Sequence, residues 1–142
     1  MARRDADEIL ERLAAGRGRR TAARQAIVEA VLQAGTHVTA DEVARRVQRR
    51  LPSVSISTVY RTLEALERLG VIDHVHLGHG RAIYHLADDV HQHLVCERCE
   101  SVEELPAAKL RAFIAMLDRD FGFEADQGHF AILGLCRSCR AG

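Results

Sequence analysis

The four cysteines fall in two Cys-x-x-Cys pairs, Cys96-Glu97-Arg98-Cys99 and Cys136-Arg137-Ser138-Cys139. Each pair can present two sulfurs to one ion, and two such pairs make the four-thiolate set of a tetrahedral zinc site. A chain with this feature must bring the turn at 96–99 and its last few residues to a single point. A closed shell of four sulfurs leaves no position for a substrate, so the expected zinc is structural. A pair of disulfides or four unrelated thiols is the competing reading, and disulfides suit an oxidising compartment. The N-terminal stretch from Met1 to Arg20 argues against one, because it is charged throughout and lacks the apolar core of a signal peptide. No segment has the run of roughly 18 apolar residues that a membrane span needs. A cytoplasmic location without membrane attachment is therefore expected. With 28% charged and 47% hydrophobic side chains over 142 residues, the chain suits one or two folded domains and not a disordered segment.

Hydrophobic spacing divides the chain. Ile9, Leu10 and Leu13 share one helical face in residues 5–15, and a basic cluster with glycines follows. Thr21 can cap a second helix carrying Ile27, Val28, Val31 and Leu32, which Gly35 ends. Thr39-Ala40-Asp41-Glu42 has the form of a capping box, opening a helix with Val43 and Val47 inward and Arg45, Arg46, Arg49 and Arg50 solvated. Ser55 or Ser57 caps a fourth helix with Val59, Leu63, Leu66 and Leu69, ending at Gly70. Four short helices are thus expected before any strand. At Val71 the period becomes two, and a hairpin is expected that turns at Gly78-His79-Gly80 and returns through Ala82 to Leu86. Helices followed by a two-stranded hairpin make a winged helix-turn-helix, whose last helix before the wing is the candidate for the DNA major groove.

Beyond a polar hinge at Asp88 and Asp89, strands are expected at His93 to Cys96, Ser101 to Leu105 and His129 to Leu135. A helix starting near Pro106 carries the apolar stripe Leu110, Phe113, Ile114, Leu117 and Phe121. The expected fold class is α+β: a winged-helix domain over 1–86, a hinge at 87–90, and a small α/β domain over 91–142 for dimerisation and metal binding. A unit of that size buries too little apolar surface alone, which points to self-association as a homodimer.

Charge follows the same division. Up to Gly70 there are 13 basic and 9 acidic residues, and after it 7 and 11. A basic first half suits a polyanion, and an acidic half bearing histidine and cysteine suits a cation. Seven of the eight histidines lie beyond Gly70. Residues two apart on a strand share a face, so His74 with His76, and His91 with His93, can each grip one metal through imidazole nitrogens. His79, in its glycine-flanked turn, reads equally well as a surface residue.

Ser57-Thr58-Val59-Tyr60-Arg61-Thr62-Leu63, then His91-Gln92-His93-Leu94-Val95-Cys96 leading to Cys99, then Cys136 and Cys139, occur in the order of a known signature. Over nearly its whole length the chain resembles the ferric uptake regulator family of metal-dependent transcriptional repressors. The resemblance implies a homodimer that binds palindromic operator DNA and controls metal uptake genes. It also implies structural zinc on Cys96, Cys99, Cys136 and Cys139, and a regulatory hinge metal on His37, His85, His91 and His93. DNA contacts would fall on Arg19, Arg24, Thr58, Tyr60 and Arg61. Within the family, the stretches around His74, Tyr84 and Gly128 are most similar to the nickel uptake regulator branch, in which His74, His76 and His129 would form a nickel site. Iron or zinc suits the same ligand types, so an iron-, zinc- or peroxide-responsive regulator of the same family is the alternative that the resemblance implies. Gln92 stands where the family often has a metal ligand, which leaves the role of Asp89 open.

Two readings of another class compete. A zinc hydrolase needs an open metal beside a carboxylate base, and there is no His-Glu-x-x-His helix and no evident small-molecule substrate site. A thiol redox protein would use the Cys-x-x-Cys pairs as reactive thiols. Counting free thiols and bound zinc separates the second from a closed zinc site, and the chain is not expected to be an enzyme.

Overall fold

The computed structural model describes residues 5–16, 19–35, 37–77, 81–87, 91–127 and 130–142. The expected turn at 78–80 with His79, the hinge residues Asp88 and Asp89, and His129 lie outside the described residues.

The chain divides into two compact units. One comprises Met1–His74 and Ala82–Asp88, the other Val75–Arg81 and Asp89–Gly142. In the first, α1 (Ala6–Ala15) is capped by the Asp5 carboxylate, and α2 (Ala22–Ala34) by the Thr21 hydroxyl, which accepts from the Arg24 N–H at 3.2 Å. The helix α3 (Ala40–Gln48) opens on the expected capping box: Thr39 Oγ1 accepts from the Glu42 N–H at 3.2 Å, and Glu42 accepts from the Thr39 N–H at 2.8 Å. Ser55, not Ser57, caps α4 (Ile56–Arg68). Leu69 is its C-cap, and Gly70 takes the left-handed φ of 66° that reverses the chain. Ile9, Leu10, Ile27, Val28, Val43, Val59, Leu63 and Leu66 meet in one hydrophobic core. Arg12 holds α1 to the end of α4 by donating to the Leu69 carbonyl at 2.7 Å.

One expectation is corrected here. A strand does precede the third helix: β1 (Val38–Thr39) pairs antiparallel with β3 (Arg81–Leu86), Val38 opposite Tyr84, in a sheet of order β1-β3-β2 with β2 at Ile72–Leu77. Two residues are too few to show a period of two, and only pairing with the returning hairpin makes them a strand.

The second sheet has the order β5-β4-β6, from β4 (His91–Cys96), β5 (Val102–Pro106) and β6 (Ala131–Gly134). β4 runs antiparallel to β5 and parallel to β6, with Cys96 opposite Gly134. α5 (Ala107–Phe121) starts after Pro106 and ends at Gly122, whose φ is 59°. The expected apolar stripe of α5 is present but only partly covered: no residue of the helix is fully buried, Leu110, Ile114 and Leu117 are half-buried, and Phe113 and Phe121 are exposed, the latter to 72%. A five-residue helix, α6 (Arg137–Ala141), closes the chain; its length is below what periodicity can reveal. Among the described residues, no helix is long and apolar enough to cross a membrane.

Candidate metal centres and nucleic-acid surface

The parallel pairing of β4 with β6 builds the cysteine cluster. Cys96 ends β4 beside Gly134, so Cys136, two residues further on, arrives next to it and its N–H donates to Cys96 Sγ at 3.3 Å. The 96–99 turn is tight: Glu100 donates to the Cys96 carbonyl at 2.9 Å with a left-handed φ of 58°. Cys136 occupies the N-cap position of α6, without a side-chain cap bond, and Cys139 lies within the helix three residues on, its sulfur in the same cluster. Arg98 joins the two turns by donating to the Cys139 carbonyl at 2.6 Å.

All four sulfurs lie within 4.8 Å of one another, and none is in a disulfide. Cys99 and Cys136 are 3.7 Å apart, Sγ to Sγ. At a zinc–sulfur distance near 2.3 Å, the edge of a tetrahedron of sulfurs is about 3.8 Å. Disulfide bonding, at about 2.05 Å, would need a different arrangement. The electrostatics agree. The Cys136 N–H, foremost among several backbone donors, lowers the Cys96 thiol to about 6, and the Ser101 hydroxyl beside Cys99 lowers that thiol too. Cys139 is instead pushed up to about 12 by the neighbouring sulfurs of Cys136 and Cys99. Four sulfurs this close become thiolates together only with a cation between them. These residues therefore fit zinc.

Each unit also pairs histidines of its own. In the first, the His37 and His85 rings stand 5.7 Å apart. His85 is buried, and its Nδ1 lies 3.1 Å from the Leu86 carbonyl. A carbonyl only accepts, so Nδ1 carries the proton and Nε2 keeps the lone pair a metal needs. In the second unit, His91 and His93 project from one face of β4 and bring their Nε2 atoms to 3.1 Å. Two imidazoles on one ion, at metal–nitrogen distances near 2.0–2.1 Å, stand about 2.8 Å apart at a right angle and about 3.4 Å at the tetrahedral angle. Gln92, between them, is buried and faces the other way, its amide donating to the Gln127 carbonyl at 2.6 Å.

His74 and His76 share a face of β2, with His76 exposed. His74 is bound through Nδ1 to Glu67 on α4, a partner that sequence reasoning missed. Helical and strand periodicities do not extend across the Gly70 reversal, so the only advance signal was a carboxylate one turn before a tight turn.

The exposed face of α4 carries Ser57, Tyr60, Arg61 and Glu64, spaced as one helical stripe opposite the buried Val59, Thr62, Leu63 and Leu66. Tyr60 is 44% exposed. Thr58 is half-buried and occupied at the helix start, where its N–H donates to Ser55 Oγ at 3.2 Å. Arg24 reaches the Arg19 carbonyl at 3.3 Å, so these two of the five expected DNA contacts adjoin.

Residues 16–132 match the ferric uptake regulator family. The ferric uptake regulation protein of Bacillus subtilis is 32% identical over 138 residues, covering 94% of this chain and 93% of that one. The peroxide-responsive repressor PerR of Staphylococcus aureus is 24% identical, covering 84% and 81%. In fold, the chain is similar to the Helicobacter pylori ferric uptake regulator Fur, described as having three functional metal binding sites. The TM-score is 0.80 at 21% identity, over 96% of this chain and 94% of that one.

Proposed function

Because the chain belongs to the ferric uptake regulator family of metal-responsive transcription regulators, we propose that it is a nickel-dependent repressor acting as a homodimer on palindromic operator DNA. The observation that carries this reading is the pairing of imidazoles within each unit, His37 with His85 and His91 with His93. Each pair is half of a ligand set, and the segment 87–90 separates them in the chain. A shared cation would supply the centre on which all four converge. Such convergence is satisfied in one arrangement of the two units, so metal affinity biases that arrangement. Moving a two-state equilibrium from 1:99 to 99:1 takes roughly 5.5 kcal/mol of differential affinity.

The remaining residues have distinct roles. Cys96, Cys99, Cys136 and Cys139 hold structural zinc. His74, His76 and His129 hold nickel, the support being the likeness of the stretches around His74, Tyr84 and Gly128 to the nickel uptake regulator branch; imidazole ligands suit nickel, and iron or zinc equally. Tyr60 and Arg61 on the solvent face of α4 read the operator, assisted by Thr58, Arg19 and Arg24 on the phosphates. A second copy covers Phe113, Phe121, Ile132 and Leu133, which are left exposed by the single chain.

Operator-binding anisotropy across buffered nickel, iron, zinc and manganese at fixed salt tests the proposal. Nickel should promote binding at the lowest free concentration, and His74→Ala should remove that response while the cysteine-bound zinc stays. Iron promoting binding first, as the name of the Bacillus subtilis relative suggests, would displace nickel and leave the repressor reading standing. Equal operator affinity with and without hinge metal, the cysteine cluster filled throughout, would end that reading too.

A further inference from the structure

We propose that Glu67 is the positioning residue of His74, and that through this contact α4 registers a cation held at the wing strand. The inference rests on the reading of His74 as a nickel ligand. The chain leaves α4 through Gly70, the Val71 N–H returns to the Leu66 carbonyl at 3.0 Å, and β2 then sets His74 against the last turn of α4. There His74 Nδ1 meets Glu67 Oε1. The two side chains are 27% and 24% exposed, so water screens the contact only in part. The Tyr84 ring flanks the imidazole at 6.0 Å between centroids.

Helix stability does not account for Glu67. A carboxylate in the last turn opposes the negative end of the helix dipole, where a cationic side chain is favoured. Its partner accounts for it better. A carboxylate only accepts, so Nδ1 of neutral His74 carries the proton, and Nε2 carries the lone pair through which the residue would ligate. This is the outer-shell arrangement that orients histidine ligands generally, and removing such a partner typically weakens metal binding ten- to a hundredfold. A cation on Nε2 makes the Nδ1–H a stronger donor and so tightens the link to Glu67. That residue shares a helix with Tyr60 and Arg61, so the link joins the wing strand directly to the helix assigned to the operator.

The test uses the full-length, zinc-loaded protein. In the absence of nickel, long-range proton–nitrogen NMR reads the His74 tautomer. The wild type should carry the proton on Nδ1, and Glu67→Ala should shift it toward Nε2, the form that imidazole prefers in water. In nickel competition titrations, Glu67→Ala should bind ten- to a hundredfold more weakly, with Glu67→Gln, which keeps an acceptor oxygen, in between and zinc content unchanged. An unaltered tautomer in Glu67→Ala overturns the positioning role. Wild-type nickel affinity in Glu67→Ala, where His74→Ala has lost it, overturns the link to metal. Should His74→Ala itself bind nickel normally, the assignment of His74 as a ligand fails, and the nickel-free tautomer still decides what Glu67 does.

Discussion

Removing zinc from the cysteine cluster should unfold the second unit and spare the first. The two units are stabilised by different means. In the first, 19 buried residues form one hydrophobic cluster. Among the described residues of the second, only Val75, Gln92, His93, Val95 and Cys96 are buried, and two of these are polar. Burying an aliphatic side chain contributes about 1.5–3 kcal/mol, so the two valines supply about 3–6 kcal/mol. Apparent zinc binding at four-ligand structural sites is worth about 10–16 kcal/mol near neutral pH, which exceeds that apolar contribution and matches the whole stability of an ordinary domain. The assay is amide hydrogen exchange before and after chelation, with Cys136→Ser as a chelator-free equivalent. Amides of β4 and β6, such as those of Val95 and Leu133, should lose protection, while those of Leu10, Ile27 and Leu63 keep it. Protection of β4 and β6 that survives complete zinc loss would refute the reasoning, as would simultaneous loss of protection in both units.

Thr39→Ala removes the hydroxyl half of the α3 capping box and should cost about 1 kcal/mol in urea unfolding; an unchanged midpoint would show that the cap contributes nothing. Tyr84 is pushed up from 10 to about 12, first by burial and then by the carboxylate of Glu67. The folded state thus holds the phenol neutral more tightly than the unfolded chain does. The resulting stability is present below pH 10 and lost as pH rises from 10 to 12. Ultraviolet titration should show a late tyrosinate phase that Tyr84→Phe abolishes and Glu67→Ala moves to lower pH. Tyr60→Ala and Arg61→Ala should each weaken operator binding about ten- to a hundredfold at unchanged metal content, the cost of about 1–3 kcal/mol typical of a base contact. Undiminished affinity would remove α4 from the groove.

Features that depend on near neighbours were legible in the chain. The Thr39–Glu42 box and the Ser55 cap join residues three apart, the apolar stripes repeat every three or four, and His91 and His93 share a face because strands alternate. The Cys-x-x-Cys pairs belong with these, since the spacing alone announces a four-sulfur centre. Other features needed the assembled chain. β1 is a strand only because β3 returns to pair with it, and Cys136 meets Cys96 only because β6 runs parallel to β4 in a particular register. Glu67 found His74 across a glycine reversal that breaks both periodicities. The partly covered stripe of α5 shows the same division: its spacing could be read in advance, but that Phe113 and Phe121 stay exposed while Leu110, Ile114 and Leu117 are half-buried is a matter of packing. Residues a few positions apart are held together by the local backbone, whereas distant ones meet only where strand register and chain reversal bring them.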